Sequence, residues 1–380
     1  MSPIRVGVIG LASASAENYE GTSWTANAHL PFLTKSPNFE IVALLNSSVE
    51  SARTAIQKYG LSDETKAYGD PQDLANDPNV DLVVCSVRVD RHFLTVRPSL
   101  IAGKTVYVEW PLDRNLEVAQ EMAALAAKHN ARTIVGIQGT FSPIIRKMRS
   151  VIGSGQIGRV LASTITGSFG NNVDAESKNV RYFLDREVGG NPISIHVGHS
   201  LESIAAVLGE FKTLRSFSTI SRPTIDIKDY SVGDTGRVVE TGAHNTVPDQ
   251  ILAYGTVEHS NAAVTIKFHA GKEFPGQPRL DWRIQGEKGW LRVASPLVSL
   301  NVGGPGIKLE IARHDTNTVE EILPETDEWD ELPVPAQNIA RLYEAYRKNE
   351  WYPTFDWALK RHEAIDGIWK EFDAENHQLS

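Results

Sequence analysis

Residues 4–10 read Ile-Arg-Val-Gly-Val-Ile-Gly, a short apolar run that ends at Gly10. In dinucleotide-binding folds the first strand ends in glycine, because the backbone turns tightly there and approaches a pyrophosphate at a helix N-terminus. Only Gly10 matches the usual glycine-rich pattern, and any α/β protein with one glycine after its first strand fits as well. The stretch from Ser13 to Gly21 is typical of an inserted loop.

The chain around this run alternates apolar stretches with helical periodicity over residues 1–140. Such alternation is typical of βαβ units, whose parallel strands are buried on both faces and read as continuous Val, Ile and Leu. The expected strands are Ile4 to Ile9, Ile41 to Leu45, Leu82 to Val87, Val106 to Glu109 and Ile134 to Ile137. The sequence therefore predicts an α/β domain of Rossmann type with a doubly wound parallel sheet.

The pattern changes at residue 141, where longer runs of alternating apolar and polar residues begin. Alternation of this kind indicates an antiparallel sheet with one open face. The expected strands lie at residues 159–168, 214–220, 250–258, 262–269, 280–285 and 290–293. Residues 225–245 are polar and glycine-rich, which predicts a loop or a hairpin. We expect a second, α+β domain over residues 141–380, with an open and mainly antiparallel sheet.

Composition limits the partners and the compartment. The net charge of −9 argues against direct nucleic-acid or membrane binding. The chain has one cysteine, Cys85, inside an apolar run, which fits a reducing compartment and a buried side chain. Neither a signal peptide nor a long apolar span is visible in the sequence. These features predict a cytoplasmic protein.

The end of the second expected strand bears on the choice of cofactor. NAD-specific sites usually place an acidic side chain there, which binds the ribose and repels a 2′-phosphate. This chain has Asn46, then Ser47 and Ser48, with Arg53 on the next helix. The pattern favours NADP and leaves NAD possible. Ser47 and Ser48 are also suited to cap that helix.

Other candidate cofactor contacts follow the expected strands at the edge where ligands bind in open α/β sheets. Glu109 is placed to bond the ribose on the nicotinamide side. Trp110 is placed to stack on the nicotinamide, to line the substrate pocket or to fill the core, and the sequence does not separate these roles. The full candidate set is Gly10, Ala12, Asn46, Ser47, Ser48, Arg53, Ser86, Val87, His92, Glu109, Trp110 and Gln138.

Candidate catalytic residues lie in the second domain. His196 and His199 are three residues apart and share a helix face, but no third ligand is evident, so we predict no metal site. We expect His199 to donate a proton, because imidazole titrates near neutrality, and His196 to contact substrate or simply pack. Tyr182 is a second candidate proton donor, and Arg181 is a candidate for binding an anionic substrate group.

Several fragments together resemble the Gfo/Idh/MocA family of nicotinamide-dependent oxidoreductases. They are the strand ending at Gly10, His29-Leu30-Pro31, Gly103 to Val106 leading into Glu109-Trp110-Pro111, Gly155 to Val160, and Gly189-Gly190 followed by Gly198-His199. The resemblance implies a Rossmann domain, a catalytic histidine at His199, and a homodimer formed through the open sheet. Within the family, Thr246 to Gln250 and Gly271-Lys272 are most similar to the branch of the fungal galactose-pathway repressor.

Two departures from the family pattern bear on activity. Trp110 stands where the family enzymes place a lysine that handles the substrate proton, and Ile195 stands where many members place an aspartate. Hydride transfer itself requires orientation of the reactants, so loss of the lysine does not exclude catalysis. We therefore expect an NADPH-linked reductase acting on a carbonyl or an activated C=C or C=N bond of a small molecule. The alternatives are a non-catalytic NAD(P)-binding regulator that binds a transcriptional activator and, less favoured, a redox-neutral isomerase or lyase.

Overall fold

The computed structural model describes residues 2–12, 24–170, 175–233 and 235–378. The chain forms two compact units. The N-terminal unit contains residues 1–138, 188–190 and 328–362, and the C-terminal unit contains residues 139–187, 191–327 and 363–380. The boundary expected at residue 140 lies near the end of the first segment, and two later segments also belong to the N-terminal unit. The loop expected from Ser13 to Gly21 lies outside the described residues.

The N-terminal unit is built on a six-stranded parallel sheet. Its strands are β1 (Ile4–Ile9), β2 (Phe39–Leu45), β3 (Lys66–Tyr68), β4 (Leu82–Cys85), β5 (Thr105–Glu109) and β6 (Thr133–Gly136). Their order in the sheet is β3-β2-β1-β4-β5-β6, which confirms the doubly wound prediction. The order reverses between β1 and β4, so a crevice for ligands is expected at the carboxyl ends of these two strands.

The helices connect and cover the strands, and several begin where a side chain caps the first turn. Ser48, Asp70 and Asn115 each accept a hydrogen bond from a backbone N–H group of the helix that follows. The α-helices in the described residues are α1 (Leu30–Leu33), α2 (Val49–Lys58), α3 (Pro71–Asn76), α4 (His92–Ile101), α5 (Leu116–Lys128), α6 (Pro143–Gly153), α7 (Gly198–Leu208), α8 (Val334–Arg347) and α9 (Phe355–Gln378). A π-helical turn, Thr25–His29, precedes α1, and another, Ile193–Val197, precedes α7.

The C-terminal unit contains a large sheet and a small one. The strands, in chain order, are β7 (Val160–Ser168), β8 (Ala175–Ser177), β9 (Phe211–Thr219), β10 (Thr224–Asp229), β11 (Arg237–His244), β12 (Gln250–Val257), β13 (Ala263–His269), β14 (Leu280–Gly286), β15 (Gly289–Ser295), β16 (Lys308–Arg313) and β17 (Val319–Glu321). The large sheet has the order β17-β16-β15-β14-β7-β13-β12-β9, and the small one has the order β11-β10-β8. Among the described strands of the large sheet, only β7 and β13 pair in parallel. The mainly antiparallel prediction is confirmed, and residues 225–245 form a hairpin of the small sheet.

The large sheet buries one face and leaves the other open. Along β12, Ile251 and Ala253 are buried, whereas the alternate residues Leu252 and Tyr254 are 45% and 60% exposed. Because successive side chains of a strand point to opposite faces, this alternation defines a core face and an open face. Phe217 of β9 pairs with Leu252 and is also exposed, so the open face carries an apolar patch.

Candidate functional site

The turn after β1 brings the backbone close to the end of β4. Gly10 has a φ of 95°, and its N–H donates to the carbonyl oxygen of Leu45 at 3.0 Å. A Cβ atom at this position would lie 2.5 Å from Cγ1 of Val87 and 2.7 Å from the carbonyl oxygen of Ser86. Gly10 is therefore required twice, for its dihedral angle and for its lack of a side chain. The predicted cofactor residues Gly10, Ser86 and Val87 meet at this crevice.

Replacement of Gly10 with alanine is expected to destabilise the protein by about 2–4 kcal/mol, because the methyl group adds a steric clash to an unfavourable φ. Urea unfolding of the G10A variant measures this loss. Gly60 is the matched control, because its φ is 62° but a Cβ there meets nothing within 4 Å. The G60A variant should therefore lose only the dihedral cost of about 1–2 kcal/mol. If both variants lost the same free energy of unfolding, the steric clash inferred at Gly10 would be contradicted.

Some of the residues after β2 stabilise the fold itself. The Asn46 side-chain amide donates to the carbonyl oxygen of Leu11 at 2.8 Å and accepts from the Leu11 N–H at 3.1 Å, so it fastens the turn after β1. Ser48 caps α2 by accepting from the N–H of Ser51 at 3.1 Å. Ser47 and Arg53 are exposed and remain the available polar groups at this corner.

Two more predicted cofactor residues hold loops at the same edge. The His92 ring is 1% exposed; Nε2 lies 3.1 Å from the carbonyl oxygen of Val87, and Nδ1 lies 3.0 Å from that of Pro111. His92 therefore ties the loop after β4 to the loop after β5. Ala12 is exposed, and its carbonyl oxygen accepts from the Tyr59 hydroxyl at 2.9 Å. Contact of His92 or Ala12 with a cofactor stays a prediction.

Glu109, at the end of β5, belongs to a buried chain of hydrogen bonds that the sequence did not reveal. Its Oε1 accepts from the Tyr107 hydroxyl at 3.0 Å and lies 2.9 Å from Nε2 of His29. The His29 ring donates to this carboxylate from Nε2, and its Nδ1 lies 2.8 Å from the Tyr343 hydroxyl. Burial, and next the charge of Glu109, raise the pKa of Tyr107 and Tyr343 well above the usual value, so both hydroxyls stay protonated.

Gly136 makes room for this carboxylate, because a Cβ there would lie 2.5 Å from Oε1 of Glu109. The carboxylate is thereby held rigidly at the carboxyl edge of the sheet. A bond from Glu109 to a ribose hydroxyl stays a prediction. In the sequence His29 stands out only as part of a family fragment, and Tyr343 is separated from it by 314 residues.

Trp110 is packed into the N-terminal unit. It is 5% exposed, and its ring lies 4.8 Å, centroid to centroid, from the ring of His362. Nε2 of His362 accepts from the Leu112 N–H at 3.2 Å, and burial lowers the pKa of His362 to about 3. A neutral imidazole thus supports both the indole and the loop that follows it. Stacking of Trp110 on a nicotinamide stays a prediction.

Gln138 supplies the clearest fit to a cofactor group. It is 1% exposed, and its Oε1 has no hydrogen-bond partner among the described residues. A buried acceptor left unpaired is costly, and an amide N–H of a nicotinamide carboxamide would satisfy it. Together with the crevice at Gly10, this orphaned atom fits a nicotinamide dinucleotide. Residues 13–23, where a pyrophosphate contact is expected, lie outside the described residues.

Of the two candidate histidines of the C-terminal unit, His199 is buried and His196 is half-buried. His199, in the first turn of α7, is 6% exposed, and its Nδ1 has no partner among the described residues. Burial, and next the nearby His196, lower the pKa of His199 to about 3; burial, and next Arg279, lower the pKa of His196 to about 4. The near-neutral titration expected for His199 is thus corrected: with a pKa of about 3 the resting ring is neutral and a weak base.

The remaining candidates have defined partners. Arg181 is exposed, and its guanidinium binds both carboxylate oxygens of Glu240 at 2.6 and 2.7 Å. It is therefore already engaged, unlike the anion-binding arginine that we expected. The Tyr182 ring packs edge-on against Phe183, with centroids 5.0 Å apart. The His196 ring lies 5.7 Å from that of Phe169.

Three further observations limit the chemistry. Cys85 is buried, and burial raises the pKa of its thiol to about 12, so it is not a reactive thiolate. Within residues 2–12, 24–170, 175–233 and 235–378, no group of three or more His, Cys, Asp or Glu residues could hold a metal ion. The helices in this part of the chain include none long and apolar enough to cross a membrane.

The fold and the crevice are those of a dinucleotide-binding protein with a Rossmann domain. Residues 4–137 match the family model described as oxidoreductase family, NAD-binding Rossmann fold, and residues 143–295 match the model of the Gal80p C-terminal domain. The chain belongs to the Gfo/Idh/MocA oxidoreductase family. It is 31% identical to the dehydrogenase aclE of Aspergillus oryzae over 371 residues, which cover 96% of this chain and 95% of that relative.

The chain is also similar to regulatory members of the family. It is 28% identical to the galactose/lactose metabolism regulatory protein GAL80 of Kluyveromyces lactis over 304 residues, which cover 77% of this chain and 64% of that relative. A super-repressor mutant of Gal80p from Saccharomyces cerevisiae has the same fold, with a TM-score of 0.86, 24% identity and coverage of 98% and 97%. Levoglucosan dehydrogenase in complex with NADH and levoglucosan matches with a TM-score of 0.74, 16% identity and 98% coverage of each chain.

Proposed function

We propose that this protein is an NADP-dependent oxidoreductase that reduces a carbonyl, or an activated C=C or C=N bond, of a small molecule. The observation that carries the proposal is His199, a buried and neutral imidazole whose Nδ1 has no partner among the described residues. Such an atom is available for proton exchange with a substrate. The 31% identity with a dehydrogenase over 96% of the chain supports an enzyme.

The chain's own residues orient the reactants and move the proton. The nicotinamide supplies the hydride when it is bound. Gln138 offers its unpaired Oε1 to a carboxamide, and the carboxylate of Glu109 is fixed by His29. His199 accepts a proton from an alcohol in one direction and, once protonated, returns it to the reduced product in the other. This arrangement replaces the proton transfer that a lysine at position 110 performs in other members.

We infer the preference for NADP over NAD from the residues that follow β2. The three positions directly after the strand, 46–48, carry no carboxylate that would repel a 2′-phosphate, and Ser47 and Arg53 are exposed there. The Arg53→Ala variant is expected to bind NADPH about 10–100-fold more weakly and NADH with unchanged affinity, because one charge-assisted contact is lost. Fluorescence titration with both nucleotides measures this. The control is Arg97→Ala, an exposed arginine on α4, which should leave both affinities unchanged. Equal weakening of NADH binding would count against the 2′-phosphate contact.

The proposed activity is tested with the purified full chain. Any nucleotide that co-purifies is identified, and NADPH oxidation is then followed with a panel of aldehydes, ketones, enones and imines. Turnover with one of these classes supports the proposal. Nucleotide binding with no turnover across the panel would overturn it. Product formed without net NADPH consumption would point instead to a redox-neutral isomerase or lyase.

A second candidate is a non-catalytic NAD(P)-binding regulator that binds a transcriptional activator. The match of residues 143–295 to the Gal80p C-terminal domain favours it, as does the buried Trp110 in place of the lysine. Its test is fluorescence polarisation with a labelled acidic and hydrophobic activation peptide, with and without NADPH. Saturable binding by a protein that shows no turnover would establish this function over the first.

We also propose that the protein is a homodimer through the open face of the large sheet. Phe217, Leu252 and Tyr254 expose apolar surface on two neighbouring strands of this face, β9 and β12. The Tyr254→Asp variant is expected to be monomeric, because it places a charge in the centre of this patch. Light scattering after size-exclusion chromatography measures the mass of each species. A wild-type monomer, or a dimeric variant, would contradict this interface.

A further inference from the structure

The short helical turn Gln138–Phe141, between β6 and α6, carries two buried polar atoms that the fold leaves without a partner. One is Oε1 of Gln138, and the other is Oγ1 of Thr140, whose side chain is 5% exposed. Within residues 2–12, 24–170, 175–233 and 235–378, neither atom has a hydrogen-bond partner. Buried hydroxyl groups are usually paired, so an unpaired one at a candidate site indicates a place where a ligand group binds.

The turn lies against α7, close to His199. A Cβ atom at Gly139 would lie 3.6 Å from Oγ of Ser203 and 3.6 Å from Cα of Asn301. The Ser203 hydroxyl in turn donates to the carbonyl oxygen of His199 at 3.0 Å. Residues 199 and 203 are four apart and share a face of α7. The chain at Gly139 and Thr140 therefore passes beside the helix face that carries His199, and all of these residues belong to the C-terminal unit.

The turn is fixed by its neighbours. The carbonyl oxygen of Gly139 accepts from the Ser142 N–H at 3.0 Å, and Pro143 begins α6 immediately afterwards. Phe141 is buried, and the guanidinium of Arg146 lies over its ring, 5.7 Å from the centroid. A donor on a fixed turn does not have to be reoriented when charge develops on a substrate, which makes its hydrogen bond more effective in the transition state.

Thr140 and His199 offer complementary groups to a single oxygen atom. Nδ1 of His199 is buried and, like the Thr140 hydroxyl, has no partner in the described part of the chain. The two atoms are also not bonded to each other, so a group that lies between them can contact both. A carbonyl oxygen accepts from the threonine O–H, and the alcohol formed from it donates to the imidazole nitrogen.

We propose that Thr140 is a catalytic residue that donates a hydrogen bond to the reacting oxygen of the substrate. This inference rests on the proposed carbonyl reduction. Addition of hydride to the carbonyl carbon moves the π electrons onto the oxygen, and the Thr140 O–H stabilises the negative charge that develops there. The proton that completes the alcohol comes from protonated His199, so Thr140 keeps its own proton and is unchanged at the end of the step.

Thr140→Val, which keeps the shape and removes the hydroxyl, tests this role in steady-state kinetics with the carbonyl substrate that the panel identifies. We expect kcat to decrease about 10²–10³-fold, the usual effect of losing one donor to a developing oxyanion. The KM for the substrate and the affinity for NADPH should change less than about threefold, since the hydrogen bond acts mainly in the transition state. Thr140→Ser, which restores the hydroxyl, should recover most of the rate.

The melting temperature separates this role from a structural one. A methyl group in place of an unpaired buried hydroxyl removes a desolvation cost, so Thr140→Val should melt about 1–3 °C above the wild type. Ser99→Ala is the matched control, because the Ser99 hydroxyl on α4 is also buried and has no partner among the described residues, but it belongs to the N-terminal unit. This control should melt no lower than the wild type and keep its full activity.

A double variant tests whether Thr140 and His199 act on the same atom. Losses from residues that act as a unit are not additive, so Thr140→Val combined with His199→Gln should lose less activity than the product of the two single losses. A loss equal to that product would overturn the shared oxygen.

Two further results would overturn the role of Thr140 and leave carbonyl reduction intact. One is an unchanged kcat in Thr140→Val. The other is a loss of kcat that comes with a lower melting temperature and is not restored in Thr140→Ser. A wild-type protein that binds NADPH but turns over no carbonyl substrate would instead overturn the proposed function, and this role with it.

Discussion

Lowering the pH from 7 to 5 is expected to destabilise the folded protein by about 5 kcal/mol. Three histidines with a lowered pKa cause this loss. Burial lowers the pKa of His196 to about 4 and of His199 and His362 to about 3, from an ordinary value of 6.5. Below pH 6.5 the unfolded chain binds these protons and the folded protein does not. Stability is therefore full above pH 6.5 and falls as the pH decreases towards 4.

Urea unfolding at pH 7.5, 6.5, 5.5 and 5, monitored by circular dichroism, measures this dependence. Carboxylates with a lowered pKa, such as Asp281, lose their contribution only below about pH 4, so they do not obscure the window. His362→Gln keeps an acceptor for the Leu112 N–H and should remove about a third of the slope. The exposed His244→Gln variant is the control and should not change it. A free energy of unfolding that stays constant to pH 5 would show that the three rings titrate normally.

His199→Gln is expected to lower the turnover rate by about 10²–10⁴-fold, the usual contribution of a proton-transfer group, while the affinity for NADPH stays unchanged. The pH dependence gives the more specific signature. Because the pKa of His199 lies at about 3, its protonated fraction decreases tenfold for each pH unit between 6 and 8. Carbonyl reduction, which needs that proton, should slow by the same factor, whereas alcohol oxidation should be independent of pH.

Steady-state rates in both directions between pH 6 and 8 provide the measurement, in a range where the fold is stable. Tyr182→Phe is the informative companion variant, because Tyr182 is the other candidate donor. If Tyr182→Phe abolishes turnover and His199→Gln does not, the proton passes through the tyrosine. A reduction rate that is flat with pH in the wild-type enzyme would likewise exclude His199 as the proton source.

The parallel sheet was predictable because its strands are buried on both faces and so contain little but Val, Ile and Leu. The exception is β3 (Lys66–Tyr68), which is three residues long and begins with an exposed lysine, so it has no apolar run to detect. The edge strand β17 (Val319–Glu321) was missed for a similar reason, because it is exposed at every residue. The apolar pattern of a sequence indicates which strands are buried, so it does not reveal a strand that is exposed.

At the site, the sequence predicted which residues lie near the crevice more accurately than it predicted what each of them does. Gly10, Ser86 and Glu109 do lie at one edge, because strand ends in a parallel sheet are fixed by topology. Asn46 and His92 hold neighbouring loops in place through hydrogen bonds. Their partners, such as Leu11 and the carbonyl of Pro111, come close only in the folded chain. The titration of His199 depends on burial by the whole unit, which no local pattern encodes.

Residues 328–362 belong to the N-terminal unit although they lie late in the chain, so this unit cannot complete its packing early in synthesis. The hydroxyl of Tyr343, on α8, forms a hydrogen bond with His29, and its ring stacks on that of Phe32 with centroids 5.3 Å apart. When residue 140 leaves the ribosome, the sheet can form, but His29 and Glu109 still lack this partner. The N-terminal unit therefore stays incompletely packed until α8 has been translated.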